Sequence, residues 1–159
     1  MAAYEGYHLA QLNIGISTHP LDAPEMADFT KNLAHVNGLG KQAPGFVWLL
    51  EGEDETLGAT DVTWPGNPDM LVNLTVWESV DALRDFAFSG QHRDLMARRR
   101  EFFVKLPDAF AALWWIPAGT VPTVLEAHER LEHLKAHGPT AHAFTFTRPF
   151  APEAAAPAA

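Results

Sequence analysis

The chain has no cysteine. Disulfides, thiolate nucleophiles and Cys-ligated metal clusters are therefore excluded, and a cytoplasmic location is expected. Positive charge is scarce: 11 Lys and Arg stand against 20 Asp and Glu in 159 residues, a formal net charge of −9. That balance argues against general affinity for nucleic acid or for an anionic membrane surface. Long hydrophobic runs are also missing. The strongest, Phe110 to Ile116, is far too short to cross a bilayer. Met1 to Ala10 lacks a basic start followed by an apolar run, so no secretory signal is read. No phosphate loop, nucleophile elbow, Rossmann glycine fingerprint or HExxH stands anywhere in the chain. A nucleotide-dependent enzyme, a serine hydrolase and a zinc protease therefore gain no support.

What the chain does have is large aromatics, with five Trp and ten Phe. Such an excess suits a core, a subunit interface or a pocket for a flat ligand. The length predicts one domain over residues 7–150. The tail 151–159, only Ala, Pro and one Glu, is expected to be disordered. Tyr7 to Ile16 alternates as a first strand. Pro24 opens a helix marked by Met26, Phe29, Leu33 and Val36, which Gly38, Gly40 and Pro44-Gly45 end. Phe46 to Glu51 reads as a second, buried strand. The acidic, turn-rich stretch Gly52 to Pro68 reads as a hairpin connection or a lid. Met70 to Glu78 is a third strand, with Val72, Leu74 and Val76 on one face and Leu71, Asn73, Thr75 and Trp77 on the other. Ser79 caps a short helix that Ser89-Gly90 interrupts, and a second helix carries His92 and Arg99. Leu113 to Ile116 is a fourth strand, Thr123 with Glu126 forms a capping box for a helix to Ala136, and Ala143 to Thr147 is a last short strand. The order is βαββαβ with a helical appendage: an α+β, ferredoxin-like fold. Such a unit has helices on one sheet face, so the other needs a cover, and pairing two sheets in a homodimer supplies one.

The helix from Gln91 to Leu106 is the leading place to look for chemistry. His92, Leu95, Met96, Arg99, Phe102, Phe103 and Leu106 fall on one helical stripe. The apolar members turn that stripe inward and bring His92 and Arg99 with it, roughly 10 Å apart along the axis. Buried basic groups are costly unless satisfied. His92 can serve as a general base or axial ligand; its structural alternative is a half-exposed helix-start histidine. Arg99 can clamp a carboxylate or phenolate; its alternative is an ion pair with Glu78, Asp81 or Asp85. Asn73 and Trp77 line either a helix–sheet cavity or the dimer side, depending on which sheet face meets the helices. Trp114 and Trp115 point to opposite sides, so only one can face a cavity. Glu129, His133 and His137 share a helix face, but three successive ligands on one helix converge poorly on one ion, so a solvated face is expected there.

The phrases VNLTVWESVDALRDFAF, QHRDLMARRREFF, ALWWIPAG and PTVLEAHERLEHLKAHGPT, with YHLAQLNIG at the start and AFTFTRPF at the end, resemble the DUF3291 family, over nearly all of Tyr7 to Phe150. The resemblance implies a dimeric α/β barrel related to antibiotic-biosynthesis monooxygenase-type domains. Phe103 stands where that pattern has Trp, and Thr120 where it has His after Pro-Ala-Gly.

Together these readings predict a homodimeric small-molecule enzyme. It would be a cofactor-independent monooxygenase, or a proton-transfer enzyme (isomerase, cyclase or lyase), acting on an apolar aromatic or polyketide-like substrate. His92 and Arg99 are the expected catalytic residues. Asn73, Trp77, Phe103, Trp114 and His8 are the expected substrate contacts, with no metal and no cofactor. Haem on His92 or His8 is one alternative, and a non-catalytic small-molecule-binding dimer is the other.

Overall fold

The computed structural model describes residues 3–53 and 59–153. Four strands, β1 (Tyr7–Ile16), β2 (Phe46–Leu49), β3 (Met70–Trp77) and β4 (Ala111–Pro117), form one antiparallel sheet in the order β2-β3-β1-β4. Helix α1 (Ala27–Gln42) links β1 to β2. Between β3 and β4 run three shorter helices, α2 (Val80–Ala87), α3 (Gly90–Ala97) and α4 (Arg99–Phe102). Helix α5 (Val124–His137) follows β4. This is the ferredoxin-like α+β order that the strand and helix periodicities predict.

The register fixes what each face carries. Leu12 pairs with Leu74 and Ala10 with Val76, while Asn13 pairs with Asn73 and Gln11 with Thr75. Side chains alternate along a strand and paired residues share a face, so an apolar layer and a polar strip lie back to back on β1 and β3. The apolar layer, Ala10, Leu12, Leu74, Val76 and Trp114, packs against Ala127, Leu131 and Leu134 of α5. Trp64 closes one side of that cluster, 5.2 Å ring to ring from His128. The face for which a second subunit's sheet was expected is thus covered from within the same chain. On the opposite face Leu9, Trp77 and Leu113 pack with Val80 and Leu83 of α2.

The cap at Ser79 forms as predicted, and at Thr123 only half of the expected capping box does, because the Glu126 carboxylate accepts from Trp114 instead of the Thr123 N–H. Ser79 accepts from the Ala82 N–H and Thr123 from the Glu126 N–H, at 3.0 Å each. Four sequence expectations need correction. Helix α1 runs through Gly38 and Gly40 to Gln42 and stops only before Pro44-Gly45. The helix from Gln91 to Leu106 is broken at Arg98, whose guanidinium is held at 2.9 Å by both Asp28 and Glu101. The chain then leaves helical geometry at Phe103, and Leu106 packs with the α5-side cluster instead of continuing the stripe. The segment Ala143 to Thr147 forms isolated bridges, Leu113 to Phe144 and Thr145 to Arg148, and no full strand. Strand β2 stops at Leu49, short of Glu51. Of the 52–68 connection, residues 54–58 lie outside the described residues, as do 154–159 of the tail.

Because α5 is the helix packed on this sheet face, its core contacts should carry stability. Leu131 is fully buried, and Leu131→Ala is expected to cost about 2–5 kcal/mol in urea unfolding.

Candidate active site

Between the polar strip of the sheet and the helices α1, α3 and α4 lies a cavity of about 430 Å³, well inside the usual range for small-ligand sites, about 300–1,000 Å³. Its floor is Gln11, Asn13, Asn73, Thr75 and Trp77; His92 and Arg99 stand in its walls. Aromatic rings, among them Phe29, Phe46, Phe86, Phe103, Phe110 and Phe146, share the rest of the wall with aliphatic side chains such as Ile14, Leu33, Leu71 and Met96. No Asp or Glu lines it among the described residues.

His92 sits two residues into α3. Its Nδ1 lies 2.8 Å from the Ala87 carbonyl. A carbonyl only accepts, so Nδ1 carries the proton and Nε2 keeps the lone pair. The Phe86 ring packs 5.0 Å away. Burial pushes the imidazolium down from the ordinary histidine value, and the Ala87 bond offsets this only in part. The site therefore holds a neutral imidazole at pH 7.

Arg99 opens α4, immediately after the break at Arg98. Its guanidinium lies 4.1 Å from the Phe110 ring centre and 5.5 Å from that of Phe103. Its Nε is buried with no hydrogen-bond partner, and no carboxylate is within ion-pair distance among the described residues. Burial, and secondarily the neighbouring Arg100, disfavours its charged form, yet guanidinium remains protonated in proteins. The structural ion pair considered from sequence is absent, and what remains is a half-buried cation held by aromatic faces. The Phe103 ring reaches the cavity across Gly15, where a Cβ would come within 2.8 Å of its Cδ1. The Gly15 position is thus cut to the shape of that ring.

The structure brings His92, Arg99, Asn73, Trp77 and Phe103 to one cavity. Two expected contacts are elsewhere. Trp114 faces α5, fully buried, donating from Nε1 to Glu126 at 3.0 Å. His8 alternates with Leu9 and so projects to the α5 side, where its Nδ1 is buried without a partner. Both follow from which face of the alternating strand meets the helices. Thr120 is exposed and bonds to the Pro117 carbonyl, outside the cavity lining. On α5, Glu129 bonds to His142 at 2.7 Å, and no group of three or more metal-ligating side chains gathers among the described residues.

Gln11 and Asn13 belong to the floor, and sequence reasoning missed them. The signal was there: two polar residues in the same alternating set as Leu9, on a strand whose opposite set is apolar from Ala10 to Ile16.

The family profile described as a domain of unknown function, DUF3291, matches residues 8–159. The chain belongs to the DUF3291 family. No curated protein matches it. Among solved structures, this DUF3291 protein is similar to a conserved protein from Methanosarcina mazei at 12% identity and TM-score 0.47, covering 70% of this chain and 93% of that one. It is also similar to SnoaB, a cofactor-independent oxygenase from Streptomyces nogalater, at 18% identity and TM-score 0.43, covering 73% and 98%. Rv0793 from Mycobacterium tuberculosis matches at 14% identity and TM-score 0.45, covering 73% and 99%. No helix among the described residues is long and apolar enough to cross a membrane.

An unpaired cation adds little to folding. Arg99→Met, which keeps the packed stem, is expected to shift unfolding by no more than about 1 kcal/mol. A structural role would show as a loss of several kcal/mol. His92 has the opposite signature. With its folded-state pKa depressed, the unfolded chain binds the proton more readily. Its contribution is complete above pH 6.5 and lost as pH falls below that value. Urea melts of His92→Gln should lack that component.

Proposed function

We propose that this DUF3291 protein is a small-molecule enzyme whose substrate is flat, largely apolar and carries an ionisable oxygen. One observation carries the reading: a neutral imidazole and an unpaired guanidinium share an aromatic-walled cavity with no lining carboxylate among the described residues. Such a cavity attracts an anion and has no acidic group of its own to supply one. Nε2 of His92 takes a proton from substrate carbon or oxygen, the electron pair stays on the substrate as an enolate or phenolate, and Arg99 holds the resulting charge. The aromatic walls exclude water and strengthen that attraction. Proton removal of this kind opens isomerisation, cyclisation or elimination, and equally a cofactor-independent oxygenation in which the carbanion reacts with dioxygen.

Haem is the second reading, favoured by one feature: the Ala87 bond leaves Nε2 of His92 free, as an axial ligand requires. The homodimer implied by the family resemblance would need a contact other than sheet against sheet, because α5 already covers that face.

Naphthols and naphthoates should raise the melting temperature of the wild type, and Arg99→Met should remove that rise. Turnover of any substrate found this way is expected to fall by at least about 100-fold in His92→Gln, with an acid limb below pH 6.5. Dioxygen consumption separates oxygenation from isomerisation. A Soret band on adding hemin, lost in His92→Ala, would replace this reading with the haem one.

A further inference from the structure

We infer that the cavity floor is a seat for one ligand oxygen, built from Asn13 and Asn73 and given its polarity by Trp77. The inference rests on the reading of this cavity as a small-molecule site and names the group it recognises, a phenolate or enolate oxygen.

Three hydrogen bonds run across the floor in one direction. Trp77 Nε1 donates to Thr75 Oγ1 at 2.9 Å, Thr75 Oγ1 to Gln11 Oε1 at 2.8 Å, and Gln11 Nε2 to Asn13 Oδ1 at 2.7 Å. The direction is forced. An indole N–H can only donate, so it occupies Thr75 as an acceptor. Thr75 is buried, and its hydroxyl proton needs an acceptor of its own. Gln11 must therefore turn its carbonyl oxygen to Thr75 and its NH₂ to Asn13. Asn13 accepts through its oxygen, and its NH₂ is left over at the open end of the chain. Directly across the strands is Asn73, whose side chain makes no hydrogen bond among the described residues. Bonds aligned head to tail polarise one another and sharpen the last donor. The Asn13 end thus presents N–H groups, the Asn73 amide is free to turn its own NH₂ to the same point, and the group that satisfies N–H groups is an oxygen acceptor. Arg99 in the wall favours an anionic one. Trp77, Thr75 and Gln11 act through Asn13 and are positioning residues.

The test uses 4-nitrophenolate as the anionic probe and 4-nitroanisole as its neutral relative of similar shape. Thr75→Val breaks the chain at near-constant volume; Thr75→Ser keeps it. In Thr75→Val the affinity for 4-nitrophenolate is expected to fall about tenfold, equivalent to 1.4 kcal/mol. In Asn13→Asp, which replaces the end donor by a carboxylate, the fall should be at least as large. Thr75→Ser should bind like the wild type, and 4-nitroanisole affinity should stay within about twofold throughout. In the nitrogen–proton NMR spectrum of the wild type, the Asn13 side-chain amide should move on adding 4-nitrophenolate and stay in place with 4-nitroanisole. Unchanged 4-nitrophenolate binding in Thr75→Val and Asn13→Asp, both shown to fold by retained 4-nitroanisole binding, overturns the seat. Wild-type protein that binds 4-nitroanisole but not 4-nitrophenolate also overturns it and leaves the small-molecule reading standing. Binding of neither overturns both.

Discussion

A single four-stranded sheet must bury two faces, and this chain solves that problem differently on each side. On one face α5 lays Ala127, Leu131 and Leu134 against an apolar layer of Leu12, Leu74 and Trp114. Hydrophobic burial is non-directional and fills space, and that side is filled. On the other face the strip Gln11, Asn13, Asn73 and Thr75 offers little for helices to pack against. The helices span it with aromatic rings at the edges and leave a cavity in the middle. The cavity is thus a consequence of where polar residues fall in the strand alternation, and it would not survive a one-residue register slip, which would exchange the two faces.

The helix break at Arg98 serves the same arrangement. A continuous helix from Gly90 to Leu106 would have carried Leu106 onto the cavity stripe. Instead the chain turns at Arg98, pinned to Asp28 of α1 and to Glu101. Arg99 starts a new short helix with its guanidinium among Phe103 and Phe110. Adjacent arginines in one run thereby take different fates: Arg98 is neutralised at the surface, and Arg99 is left without a carboxylate in the wall of the cavity.

Much of this was legible in the residues. Period-two alternation located β1 and β3, short apolar runs located β2 and β4, the serine and threonine caps located α2 and α5, and the stripe put His92 and Arg99 near one another. What could not be read was long-range. Sequence predicted a helix after β4 but not which face it would cover, because capping and propensity are local while docking is not. The same gap left the phase of β3 open, so Asn73 was placed at a cavity or an interface with equal weight, and Trp114 and His8 were assigned to a side they do not face. The break at Arg98 depends on Asp28, 70 residues away. The floor residues Gln11 and Asn13 gain meaning only from the register that sets them beside Thr75 and Asn73.

The central claim is that the polar face of the sheet, with His92 and Arg99 above it, is where a flat anionic ligand binds. A crystal structure of the protein with 2-naphthoate tests it most directly. The account predicts the rings between the sheet floor and α3–α4, with the carboxylate toward Arg99. A naphthoate seated against α5, or a cavity found filled by protein side chains, would contradict it.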